Sequence, residues 1–246
     1  TAAHDDPTSK GRSYGNPTGP LGSMNVVIPK GKNLRETLLL NLIPRDQPVL
    51  VFSSDDLPVW ERPPMTGVWA PERTANGPCE VFTWPSRRVR LIPHQTTARD
   101  VRVAEVVVTG GDRLDLTHLQ GRDPHAAWKR SQATEKKQKR SPIYRPVMPQ
   151  PDRYTWENLD SLLALPDASK ATWVESDAPT VVAPACLRFL GRLEDEGILD
   201  PARFVVLRTA GVIYGPQSAV VEQVVTDVLP VPLAVWSGEN PVARQR

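Results

Sequence analysis

Cysteine is almost missing. Cys79 and Cys186 are the only two in 246 residues and lie more than a hundred positions apart. The chain therefore carries neither a disulfide framework nor the paired spacing of a zinc knuckle. Long apolar runs are missing too: no stretch reaches the ~18 residues of a helical membrane span, and no membrane partner is expected. The histidines His4, His94, His118 and His125 are scattered, without the i, i+4 spacing of a helical zinc site. There is no G-x-S-x-G elbow and no H-E-x-x-H pair. Gly15, Gly19 and Gly22 follow neither the phosphate-loop spacing nor the dinucleotide fingerprint. The pairs Asp5-Asp6 and Asp55-Asp56 are neighbours whose side chains point apart in extended chain, so they read as loop charges. Nothing nominates a catalytic group, a metal or a cofactor. A charge excess is also lacking, with 30 Lys and Arg against 28 Asp and Glu. What matters is how the charge is distributed.

Proline is what the chain has in quantity. Its 26 prolines and 15 glycines make about one residue in six a structure punctuator, with proline at roughly twice its usual ~5% share. The hydrophobic share of 39% and mean hydropathy of -0.36 fit a globular chain of one large or two small domains. Such a punctuated chain is expected to be irregular and loop-rich, and with the segments read below the expected fold class is α+β, with short antiparallel strands and a few core helices.

Residues 1–32 are dense in turn formers, and their glycines allow close backbone approach. Asn33 caps an apolar run from Leu34 to Ile43, with Glu36 at the capping-box position and Leu34, Leu38 and Leu42 at helical spacing. Pro44 stops it, and the run reads as a core helix. Residues 44–80 hold six prolines, counting from Pro48, with Trp60 and Trp69 among them. Helix is disfavoured there, and the tryptophans are expected to pin a long loop to the core. From Arg87 to Leu91 the alternation sets Arg88 and Arg90 on one face and Val89 and Leu91 on the other, a strand with a basic outward face. Val101, Val103 and Val106 to Val108 form its partner, ended by Gly110-Gly111. Residues 122–153 carry Lys129-Arg130 and Lys136-Lys137-Gln138-Lys139-Arg140, then four prolines. Such a cationic, proline-flanked loop without an apolar face is either a solvated linker or a phosphate contact. Helices follow at Asp152–Leu165 and Val181–Glu196, the second stopped by Gly197 and apolar at Val182, Ala185, Phe189 and Leu193. The last unit, 203–230, reads as a hairpin turning at Gly215-Pro216, with Gln217 at its tip.

These segments, read in order, resemble the CasA family, the large subunit of the type I-E CRISPR surveillance complex Cascade. Asp6-Pro7 through Lys10 to Gly15 is similar to the family's glycine loop, and Gly31 with Leu34 to Leu42 to its most recognisable helix. Trp60-Glu61 and Thr83 to Leu91 match its Trp–Arg–Arg segment, with Pro85 where Gln is usual. Asp123 to Trp128 and Tyr214 to Ser218 complete the series.

The resemblance implies that residues 1–246 are part of the subunit's large N-terminal globular domain. Within it lie the glycine-loop region (1–32), the basic loop (122–153) and the hairpin unit (203–230). The C-terminal four-helix bundle expected after Val235 is absent from this stretch. On this resemblance the subunit would be non-catalytic and cytoplasmic and would assemble with CRISPR RNA and the other Cascade subunits. It would read the protospacer-adjacent motif in double-stranded target DNA, promote strand opening to an R-loop and help recruit the helicase-nuclease of antiviral defence. Gly11, Arg12, Ser13, Tyr14 and Gly15 would lie along the minor groove. Gln217 would part the first base pair beyond the motif. Pro216 stands where Asn is frequent and lacks its side-chain donor. One of Lys136, Lys137 or Lys139 would reach the same groove. The residues alone leave two alternatives open: a generic RNA or ribonucleoprotein scaffold, and an enzyme completed by segments outside this stretch.

Overall fold

The computed structural model describes residues 24–47, 49–63, 73–85, 87–97, 100–110, 112, 114–151, 162, 179–215 and 220–236. Two sheets share the body and a two-stranded hairpin leaves it. The first sheet has the order β1-β7-β8, with β1 spanning Val26–Lys30, β7 Phe204–Tyr214 and β8 Val221–Pro232, all antiparallel. The second has the order β5-β4-β6, with β4 Trp128–Arg130, β5 Tyr144–Pro146 and β6 Val181–Val182. The hairpin pairs β2, Arg87–Thr97, with β3, Asp100–Gly110. The described part is α+β with short antiparallel strands, as the order of segments implied.

Strand β1 joins the two body sheets. One edge pairs with β7, while Val27 N donates to His125 O (2.9 Å) and Asn25 N to Val147 O (3.0 Å) on the other side. Because successive side chains leave opposite faces, Val26 enters a core with Trp84, Leu119, Trp128 and Tyr144. Val27 enters a second core with Cys186, Leu187, Leu207 and Leu233.

The helix at 34 forms as the cap signal dictates but is shorter than its apolar run. Helix α1 spans Leu34–Leu40; Asn33 Oδ1 accepts from Glu36 N (2.9 Å) and Glu36 Oε2 from Lys32 N (2.6 Å). It stops before Pro44 because Asn41 turns its amide onto Thr37 O (2.7 Å) and Pro29 O (2.8 Å). Only Leu40 is buried; Leu34, Leu38, Leu39 and Leu42 are exposed, which corrects the core-helix reading. Helical spacing groups side chains on a face, and here that face has no described element over it.

The 44–80 segment holds a single-turn 3-10 helix at Val59–Glu61, and α2, Pro78–Phe82, begins at its end with Pro78 in the first turn, where a missing N–H costs nothing. Trp60 is 73% exposed and pins nothing, a second correction; Trp69 lies outside the described residues. The hairpin strands form as expected. Among the described residues nothing covers either face, however: Val89, Leu91, Val101, Val103 and Val106 to Val108 are all exposed.

The described part of the 122–153 segment, residues 122–151, is not a loop. It folds as β4, then α3, Gln132–Gln138, then β5, and buries Trp128, Ile143 and Tyr144. The unit's apolar side is carried by its strands, which a charge-dominated sequence window conceals. The expected helix at 152–165 lies outside the described residues except for Leu162, which is helical and buried. Val181 and Val182 start a strand rather than a helix; α4 runs Ala185–Asp195 from Pro184. Its end is as expected: Gly197 takes φ +72°, Ile198 N donates to Leu193 O (2.8 Å) and Gly197 N to Glu194 O (2.8 Å).

Candidate nucleic-acid interface

The Asp-Pro-His segment builds the platform on which the basic unit stands. Asp123 Oδ1 accepts from His125 N (2.9 Å) and Ala126 N (2.6 Å), bending the chain so that His125 Nδ1 meets Val27 O (3.2 Å). Cys186 N, in the first turn of α4, donates to Pro124 O (2.9 Å). One turn thus ties β1, α4 and β4 together, and its two ionisable groups are structural. Burial lowers the His125 imidazole's pKa, with the Val27 carbonyl opposing. Burial pushes the Asp123 carboxyl up from an aspartate's 3.8 to about 6, against its two backbone hydrogen bonds.

This gives a pH prediction. A folded-state pKa above the unfolded one means that the folded form binds more protons between about pH 4 and 6. Stability from this group is present at the acid end and is lost as pH rises through the folded value. Asp123→Asn keeps the accepting oxygen and removes the charge. Relative to the variant, the wild type is expected to lose about 2 kcal/mol between pH 4.5 and 7.5. Thermal unfolding of both proteins across that range checks it; parallel curves would refute the assignment.

From this platform Trp128 enters the core and the chain passes through α3. Arg130 Nε donates to Glu135 Oε1 (2.7 Å) and Arg130 Nη2 to Ser141 Oγ (2.8 Å), while Ile143 N donates to Glu135 Oε1 (2.9 Å). The Arg130 hydrogen bond is the main cause holding the Glu135 carboxyl below the usual range. Glu135 is therefore a staple for a helix of only two turns. Lys136 and Lys137 fill its last turn and Lys139 its left-handed cap at φ 52°, all three exposed. Cations at a helix C-terminus are favoured by the carbonyl end of the dipole, so this helix displays positive charge without cost to its fold. Arg140 Nη1 lies 2.7 Å from His118 Nε2.

The Trp–Arg–Arg segment behaves differently. Arg88, expected on an outward basic face, instead donates from Nη2 to Asp112 Oδ1 (2.9 Å), and Arg73 Nε donates to Asp112 Oδ2 (2.8 Å). Asp112 is fully buried; its backbone carbonyl accepts Trp84 Nε1 (2.9 Å), and the Arg73 guanidinium lies 4.2 Å from the Trp84 ring centroid. Arg62 and Arg73 both pair with buried Glu80. Burial pushes the Glu80 carboxyl up, but hydrogen bonds from Arg62, Asn76 N and Arg73 outweigh it and leave the pKa lowered. This ion network anchors the root of the β2–β3 hairpin. Arg90, two register pairs further out, remains exposed.

The second hairpin carries the other expected contact. Strand β1 covers β7 only from Val206 to Ala210, while β7 and β8 stay paired out to Tyr214 and Val221. Gly215 N donates to Val220 O (2.9 Å) at its end. Pro216 and Gln217, in the connection between the strands, lie outside the described residues, as do Gly11, Arg12, Ser13, Tyr14 and Gly15. Among the described residues no group of His, Cys, Asp and Glu could hold a metal ion, and no helix is long and apolar enough to cross a membrane.

The described residues thus form an α+β body with two antiparallel hairpins and a lysine-bearing helix, without a catalytic constellation among them. The chain belongs to the CRISPR-associated protein Cse1 family, whose model matches residues 1–246. It is 37% identical over 112 residues to a CasA/Cse1 protein of Thermus thermophilus, covering 44% of this chain and 20% of that one. The crystal structure of Thermobifida fusca Cse1 is similar at 34% identity and TM-score 0.77, over 99% of this chain and 45% of that one. A chain of a CRISPR RNA-guided surveillance complex shares the fold, with 19% identity and TM-score 0.55 over 92% of this chain and 39% of that one. The chain thus spans less than half the length of these relatives.

Proposed function

We propose that this chain is the motif-reading region of a Cascade large subunit. In this reading it is a non-catalytic, cytoplasmic component that binds duplex DNA at the protospacer-adjacent motif, promotes strand opening and helps recruit the helicase-nuclease. The observation that carries the reading is family membership across all of residues 1–246, joined to the long β7–β8 hairpin whose connection contains Gln217. The structural likeness to a chain of an RNA-guided surveillance complex supports assembly with CRISPR RNA and sister subunits. Gly11 to Gly15 would supply backbone donors to the minor groove, whose degenerate pattern suits tolerant reading of a short motif. Lys136, Lys137 or Lys139 would add a charge contact there. Pro216 offers no side-chain donor, so this chain's reading of that position rests on other groups. Gln217 would wedge into the stack, offsetting part of the ~1–2 kcal/mol per base step that opening costs.

The test is strand opening by the reconstituted complex on targets with and without the motif, wild type against Gln217→Ala. Opening is expected to fall about 5- to 30-fold, the equivalent of 1–2 kcal/mol, while motif-dependent binding persists. Identical opening by both proteins would leave Gln217 as a solvated tip and favour the RNA-scaffold reading.

A further inference from the structure

A groove beside α3 carries an inference beyond the motif contacts. It is an open concavity of about 340 Å³, lined among others by Lys129, Arg145, Pro146, Val147, Met148 and Gln150. Lys129 and Arg145 are register partners on β4 and β5, so both side chains leave the same face of the sheet. Both are exposed, and among the described residues neither is in an ion pair. The single carboxylate between them in the chain, Glu135, is taken up by Arg130 and Ile143 N. Like charges set directly opposite on paired strands repel and weaken the pair. The folded chain gains nothing from this juxtaposition, whereas an anion placed between the two would be held by both.

The rest of the lining narrows the class of anion. Pro146, Val147 and the exposed Met148 give an apolar wall, and Gln150 adds an amide. A wall of that kind accepts a sugar or base face next to a bound phosphate. Along the chain, residues 129–145 carry seven cations against Glu135 alone, and Lys136, Lys137 and Lys139 among them are exposed. A free metabolite would not need that extended field; a polyanion follows it.

We propose that Lys129 and Arg145 clamp a backbone phosphate of a nucleic acid strand, a contact blind to sequence. The proposal rests on the reading of this chain as a nucleic-acid-binding subunit, not on Gln217 acting as a wedge.

The experiment uses the reconstituted complex with Lys129→Gln/Arg145→Gln. It titrates duplex targets with and without the motif over a range of salt, and in parallel measures retention of the guide RNA. Two lost phosphate contacts should lower the slope of log K against log salt by about 1.8 and weaken binding about 10- to 60-fold near 0.1 M salt, equally on both duplexes. If the loss falls on RNA retention instead, the clamped phosphodiester belongs to the guide; either arm supports the clamp. Thermal stability should hold or rise as the repulsion is removed. Unchanged salt slopes in both arms, or weaker binding accompanied by a lowered melting temperature, would overturn the proposal. If the wild type shows no motif dependence while the slope still drops, the motif-reading function fails and the clamp stands.

Discussion

Asp112→Ala is expected to lower the unfolding free energy by about 3 kcal/mol, and the melting temperature by roughly 6–12 °C for a domain of this size. The carboxylate accepts from Arg73 Nε at 2.8 Å and Arg88 Nη2 at 2.9 Å and is itself fully buried. Its removal leaves two guanidinium groups facing a cavity. Both keep some access to water, with side chains 29% and 20% exposed, which sets the figure at the lower end of the ~3–5 kcal/mol for breaking a buried pair. Asp112→Asn keeps an accepting oxygen and the packing, so it should cost less than the alanine change. The hairpin should respond more than the body: hydrogen exchange in β2 and β3 is expected to rise before that of β7. Equal protection changes in both would show that the network does not act as a root for the hairpin.

Trp128→Ala should cost about 3–5 kcal/mol, the range for truncating a buried aromatic side chain. Trp128 is 2% exposed, packs with Val26, Trp84, Tyr144 and Val182, and holds the start of the strand that carries Lys129. Trp60→Ala is the matched control. At 73% exposure its loss should stay within about 0.5 kcal/mol, as for surface substitutions generally. Denaturant unfolding of the two variants compares them directly. A large effect at Trp60 would mean that this ring is covered by something outside the described residues. The Trp128 change should also weaken phosphate binding through Lys129 and Arg145, because the strand pair that aligns them loses its buried side.

By itself the chain stated its class and its local punctuation. A period-two run gave the first hairpin, β-rich runs about Gly215-Pro216 gave the second, Asn33 and Glu36 gave a helix start, Gly197 gave a helix stop, and five short segments in order gave the family. These are near-neighbour properties: cap hydrogen bonds close over three or four residues, and strand alternation repeats every two. Tertiary structure decided which apolar and which charged groups are inside. Leu34, Leu38 and Leu42 share a helical face, yet all three are exposed and no described element covers them. Arg88 and Arg90 share a strand face, yet Arg88 is drawn into the buried Asp112 network and Arg90 is left to solvent. Lys129 and Arg145 are sixteen positions apart and meet only because β4 and β5 pair in one register. Burial and charge pairing are relations between distant parts of the chain. A linear pattern fixes how a side chain points relative to its neighbours, and only the packing of elements fixes what it points at.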